Sequence, residues 1–115
     1  MKILCLSTKE MPLAVDEALS KVELELETLA ISKETKVLKV IHGYGSKGVG
    51  GTIKKELNLL LKRYLRQGKI LDFIPNEKFT TQSEHYQHFT KLYPELILDS
   101  DLQNQNPGIT LIFLK

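Results

Sequence analysis

The chain has 115 residues, 42% hydrophobic and 26% charged, with sixteen Lys and Arg against fourteen Asp and Glu. That length holds one domain with a single buried core, and no apolar run approaches the ~20 residues that cross a bilayer. The lone cysteine, Cys5, rules out an internal disulfide framework; with "MKILCLSTKEMP" too short for a signal peptide, the expected setting is the reducing cytoplasm.

Residues 2–7, "KILCLS", are apolar enough for a buried strand, in which Cys5 reads as a small core side chain. Between Pro12 and Ser32, Val15, Ala18, Leu19, Val22, Leu26, Leu29 and Ala30 recur at helical spacing. Pro12 suits the first turn, and Asp16 and Glu17 complement the positive end. "KVLKVIHG" (36–43) is the next strand, stopped by glycines. A second helix is expected from about Thr52, as N-cap, to Gln67, with Gly68 ending it and Ile53, Leu57, Leu60, Leu61 and Tyr64 as its buried stripe. "KILDFIP" (69–75) is a third strand ending at Pro75, and "ITLIFLK" (109–115) a last one after the turn Asn106-Pro107-Gly108. Residues 76–107 are polar and read as an insertion, with a short helix whose Tyr86, Phe89 and Tyr93 lie against the body. The expected fold is α/β, an α+β two-layer sandwich: a β-α-β-α-β-β four-stranded mixed sheet with two helices on one face.

Charge is unevenly placed. From Lys36 to Lys69 nine basic residues (Lys36, Lys39, Lys47, Lys54, Lys55, Lys62, Arg63, Arg66, Lys69) face one acid, Glu56. From Lys9 to Glu34 seven acids outnumber three lysines. Such polarity predicts a positive side that meets phosphates.

The glycine-rich turn "HGYGSKGVGG" supports three readings. Gly43, Gly45 and Gly48 spell G-x-G-x-x-G between a strand and a helix, and Asp72 follows at the distance of a ribose-binding acid. A dinucleotide fold, however, needs two βαβαβ halves. A Walker loop is excluded, because Gly48 is followed by Val49 rather than Lys. The second reading is an anion site for a polymer phosphate, continued by Lys55, Asn58, Lys62, Arg66 and Lys69 along the next helix. The third is a purely structural turn. A solubility face usually mixes both signs; this helix has few acids, which favours the phosphate reading. The candidate contact residues are Gly43, Tyr44, Gly45, Ser46, Lys47, Gly48, Lys54, Lys55, Lys62 and Arg66, with Tyr44 placed to stack on a base. His42 is the candidate acid or base.

At these residues the sequence resembles the Smr family, the small MutS-related domain, whose hallmark is a strand running into H-G-x-G, a glycine-containing loop and a helix. Here that is "VIHGYGSKGVGGTIKKEL". "DEALSKVELELETL" is similar to the family's first helix, and "NPGITLIFLK" to its closing strand. The resemblance implies a four-stranded mixed sheet with two helices, like the C-terminal domain of a bacterial translation initiation factor. It also implies binding to DNA or RNA, and nicking endonuclease activity in some members. The family's first strand normally ends in L-D-x-H-G; here it reads "LCLST", so Cys5 and Ser7 stand where Asp and His are expected.

Hydrolysis of a phosphodiester needs a nucleophile, charge stabilisation and a protonated leaving group. His42 and Lys47 are candidates for that work, and Glu10 and Asp72 for the acid if the fold brings them to the loop. No cofactor is expected, and a divalent metal only alongside nuclease activity. His85-x-x-His88 offers two nitrogens without further ligands at metal spacing. The remaining alternatives are a protein–protein adaptor, using the acidic first helix and residues 76–107, and a nucleotide-binding domain.

Overall fold

The computed structural model describes residues 2–7, 15–32, 34–43 and 50–115. The elements, in chain order, are β1 (Lys2–Ser7), α1 (Val15–Ser32), β2 (Thr35–Ile41), α2 (Gly50–Arg66), β3 (Asp72–Pro75), α3 (Glu84–Leu92), α4 (Ser100–Gln103) and β4 (Ile109–Phe113). The sheet runs β1-β2-β4-β3. β1 and β2 are parallel, and β4 is antiparallel to both β2 and β3. β3 is therefore parallel to β2 with β4 between them, so α2 is a crossover over a gap that the last strand fills.

Strand alternation assigns every side chain to one of two faces. On one face, Leu38, Val40 and Ile112 meet Val22, Leu26 and Leu29 of α1 and Leu57, Leu60, Leu61 and Tyr64 of α2. The α1 contacts fall four and three apart, the spacing that puts them on one stripe. All five residues expected to form the α2 stripe are buried.

α2 ends in a Schellman arrangement. Gly68 has φ +71°, its N–H donates to Leu65 O at 3.1 Å, and Lys69 N–H donates to Tyr64 O at 2.9 Å. That pairing uses carbonyls the helix leaves unpaired. Lys69 Nζ then lies 4.9 Å from the Tyr64 ring centre, a cation–π contact. At its start the helix differs from expectation: it begins at Gly50, so Thr52 lies within the first turn, exposed, rather than capping it. Pro12, expected in the first turn of α1, lies outside the described residues.

The second face is where residues 76–107 belong. Phe79, Phe89, Leu96 and Leu102 pack on Val37, Ile74, Leu111 and Phe113, with Tyr86 and Tyr93 at the margin. The Phe89 and Phe113 rings stack with centroids 3.7 Å apart and 2° between planes. The segment is held by local polar contacts as well. Ser83 caps α3 by accepting from Tyr86 N–H at 3.0 Å, Asp99 caps α4 by accepting from Asp101 N–H at 2.9 Å, and Asn76 Nδ2 donates to Asp101 O at 3.0 Å. What looks polar and inserted in sequence supplies a third layer.

An ion cluster pins that layer to the sheet. Lys39, 7% exposed, reaches Asp101 Oδ2 at 2.8 Å and Asp99 Oδ2 at 3.1 Å. Burial pushes the Lys39 ammonium toward deprotonation, but hydrogen bonds to Asp101 and Asp99, together with their charge, outweigh it and raise its pKa. Cys5 corrects the sequence expectation. It is exposed, because β1 is an edge strand and Cys5 points to the second face. Among the described residues no helix is long and apolar enough to cross a membrane.

Candidate nucleic-acid interface

His42 follows the last residue of β2, at the end of the sheet where α2 begins. Its own N–H and that of Gly43 both donate to Gly108 O, at 2.9 and 3.0 Å. Gly43 has φ +75°, a left-handed conformation that glycine adopts without steric cost. The His42 side chain is 2% exposed. Its Nδ1 lies 2.5 Å from Gly43 O and its Nε2 2.9 Å from Thr110 Oγ1. A carbonyl only accepts, so Nδ1 carries the hydrogen and Nε2 accepts from the Thr110 hydroxyl. Burial lowers the pKa of the imidazole and outweighs the hydrogen bond to the Gly43 carbonyl, which raises it; Lys54 lowers it further and Glu77 opposes that. His42 is thus a neutral, doubly bonded strut between β2 and β4.

Tyr44, Gly45, Ser46, Lys47, Gly48 and Glu10 lie outside the described residues. Asp72 is placed away from the turn. It pairs in register with Phe113, whereas His42 bonds to Gly108, so about 17 Å of strand separates the two levels. Its carboxylate contacts His85 Nε2 at 3.1 Å. The sheet therefore keeps this acid from any phosphate at the turn, as either a ribose ligand or a catalytic group. The acid that does approach His42 is Glu77, which also forms an ion pair with Lys54. Neither Glu77 nor Thr110 stood out in sequence; only the antiparallel register of β3 and β4 carries them to this end. His88 packs edge-on against Phe89, and among the described residues no three His, Cys, Asp or Glu gather as metal ligands.

Four of the five basic residues of α2 separate into two groups, and the fifth, Arg63, is exposed beside them. Lys54 is half-buried and neutralised by Glu77. Lys55, Lys62 and Arg66 are exposed and, among the described residues, have no carboxylate in ion-pair range. Spaced seven and four apart, they project along the side opposite Ile53, Leu57 and Tyr64, over about 16 Å of helix. Asn58, expected on this line, is instead half-buried, and its Oδ1 is enclosed without a partner among the described residues. The result is a solvent-facing row of three unopposed cations that starts near the His42–Gly43 end of the sheet.

No family model matches the chain, and neither does any curated protein sequence. Among solved structures, the Smr domain of MutS2 from Thermus thermophilus matches with a TM-score of 0.55 and 20% identity over 100% of this chain and 99% of that one. The shared feature is architecture: a mixed four-stranded sheet with helices, over the whole length of both chains. In fold, this chain is an Smr-like domain.

Proposed function

We propose that the domain binds the phosphate backbone of DNA or RNA along the exposed side of α2, and that it binds without cutting. The observation that carries the reading is the row Lys55, Lys62 and Arg66, exposed and unpaired among the described residues while the neighbouring Lys54 is paired. Cations on a solubility surface usually alternate with anions. A row of one sign on a rigid helix matches a polyanion, which carries one charge per ~1.7 Å of duplex. The Smr-like fold supports the same reading by analogy, since folds host functions without fixing them. Gly43 and the glycine-rich sequence that follows it belong to the proposed contact surface on sequence grounds, because glycine lets a backbone come close to a phosphate.

His42 serves this surface as a strut. A base or acid in hydrolysis must reach the proton it moves, and both nitrogens of this ring are engaged inside the protein. Cys5 and Ser7 in place of the family's Asp and His leave the first strand without those groups.

The test is charge reversal. The triple substitution K55E/K62E/R66E should abolish retention of duplex DNA and RNA on a filter while leaving the circular dichroism melt unchanged. Retention equal to wild type would refute the binding surface. Supercoiled plasmid should stay intact with the wild-type protein; nicking that disappears in H42A would overturn the claim of binding alone.

A further inference from the structure

At the opposite end of the sheet from His42, residues of the C-terminal halves of α1 and α2 line a cleft of about 550 Å³. That volume is in the range of sites for small organic ligands. Its apolar walls are Leu26, Leu29, Ala30, Tyr64, Ile70 and Leu114. Leu114 N–H donates to Lys36 O at 2.9 Å, which ties the floor of the cleft to the start of β2. The charged lining is one-sided: Lys36, Lys69 and Lys115 against a single carboxylate, Glu27.

We infer that this cleft binds a small alkyl carboxylate, its hydrocarbon chain between the helices and its head group among Lys36, Lys69 and Lys115. The walls favour a chain over a planar ring. Five of the six apolar liners are aliphatic or alanine, and the one aromatic ring, Tyr64, already carries the Lys69 ammonium at 4.9 Å. A nucleobase needs several hydrogen-bond partners at its edges to be fixed in a pocket, and these walls offer one, the Tyr64 hydroxyl. A hydrocarbon needs none, and the three ammonium groups outnumber the one lining carboxylate, Glu27, in favour of a negatively charged head group. The binding site is separate from the row on α2, so its success or failure is independent of nucleic-acid binding.

Isothermal titration of the full chain with octanoate, decanoate and decanol tests the assignment. Decanoate should bind saturably with one site per chain, about fifteenfold tighter than octanoate for its two extra methylenes, and tighter than decanol. Ala30 is exposed on α1, so A30W can fill the cleft from outside, and it should remove decanoate binding with the melting curve intact. K36Q/K69Q, two changes at the rim, should weaken decanoate at least about tenfold and leave decanol unchanged. Linear, unsaturable heats, or decanoate binding to folded A30W as to wild type, would overturn the proposal. Equal affinity for decanol and decanoate would overturn the assignment of the head group.

Discussion

The division of the α2 cations into paired and unpaired can be read out as a salt dependence. Each phosphate neutralised on duplex DNA contributes about −0.9 to the slope of log affinity against log salt. The three cations of the row, Lys55, Lys62 and Arg66, taken as the phosphate contacts, set the wild-type slope at about −2.7, or an affinity loss of about 40-fold between 50 and 200 mM salt. K62Q should reduce the slope to about −1.8, a loss of about 12-fold over the same range. K54Q should leave the wild-type slope, because Glu77 already neutralises that ammonium. E77Q frees Lys54 and should steepen the slope to about −3.6, a loss of about 150-fold. Fluorescence anisotropy with a labelled short duplex across that salt range measures all four. If K54Q flattens the slope as much as K62Q, or E77Q leaves it unchanged, the assignment of charges on this helix is wrong.

Other expectations concern the folded state. The buried, neutral His42 has a lowered pKa, whereas the unfolded chain takes up its proton near the ordinary 6.5. The unfolded state then binds more protons, so stability should fall as pH drops below about 6.5 and recover above it; thermal melts of H42Q should be flatter over that window, and an identical pH profile would contradict the burial. F89A removes the ring stacked on Phe113 and should cost about 3–5 kcal/mol in urea unfolding, with a loss below about 1 kcal/mol refuting the claim that the third layer is core. G68A should cost about 1–2 kcal/mol through the left-handed backbone alone, since the added Cβ would meet only Lys115 Nζ at an ordinary 3.5 Å. An unchanged urea midpoint would mean the Schellman turn contributes nothing.

Much of this architecture is legible in the chain because each element carries a repeating pattern. Ile53, Leu57, Leu60, Leu61 and Tyr64 announce α2, and Gly68 announces its end. The sequence reading covers one face of the sheet with two helices; that Val37 to Val40 are buried on both faces, the second one under residues 76–107, was not legible in "VLKV". Residues 76–107 hide their contribution, because their buried groups, Phe79, Phe89, Leu96 and Leu102, are scattered among short turns without a single period. Cys5 was misread for a related reason: an apolar strand does not declare itself an edge, and only the order β1-β2-β4-β3 leaves that residue uncovered. At the site, the row on α2 was visible from helical spacing. The neutralisation of Lys54 by Glu77 and the bond from Thr110 to His42 were not, since they join residues 23 and 68 positions apart.

The position of β4 bears on how the molecule is made. The strand that joins β2 to β3 is the last of the four to be synthesised. Until Ile109–Phe113 leaves the ribosome, the β1–β2 ribbon and the short β3 have no common partner. A nascent chain stopped before that point would hold two helices over half a sheet, with Leu38 and Val40 lacking Ile112 beside them. Completion of the sheet thus waits for its fourth strand, and a chain stalled or clipped before Ile109 leaves apolar strand surface uncovered rather than forming a smaller version of the domain.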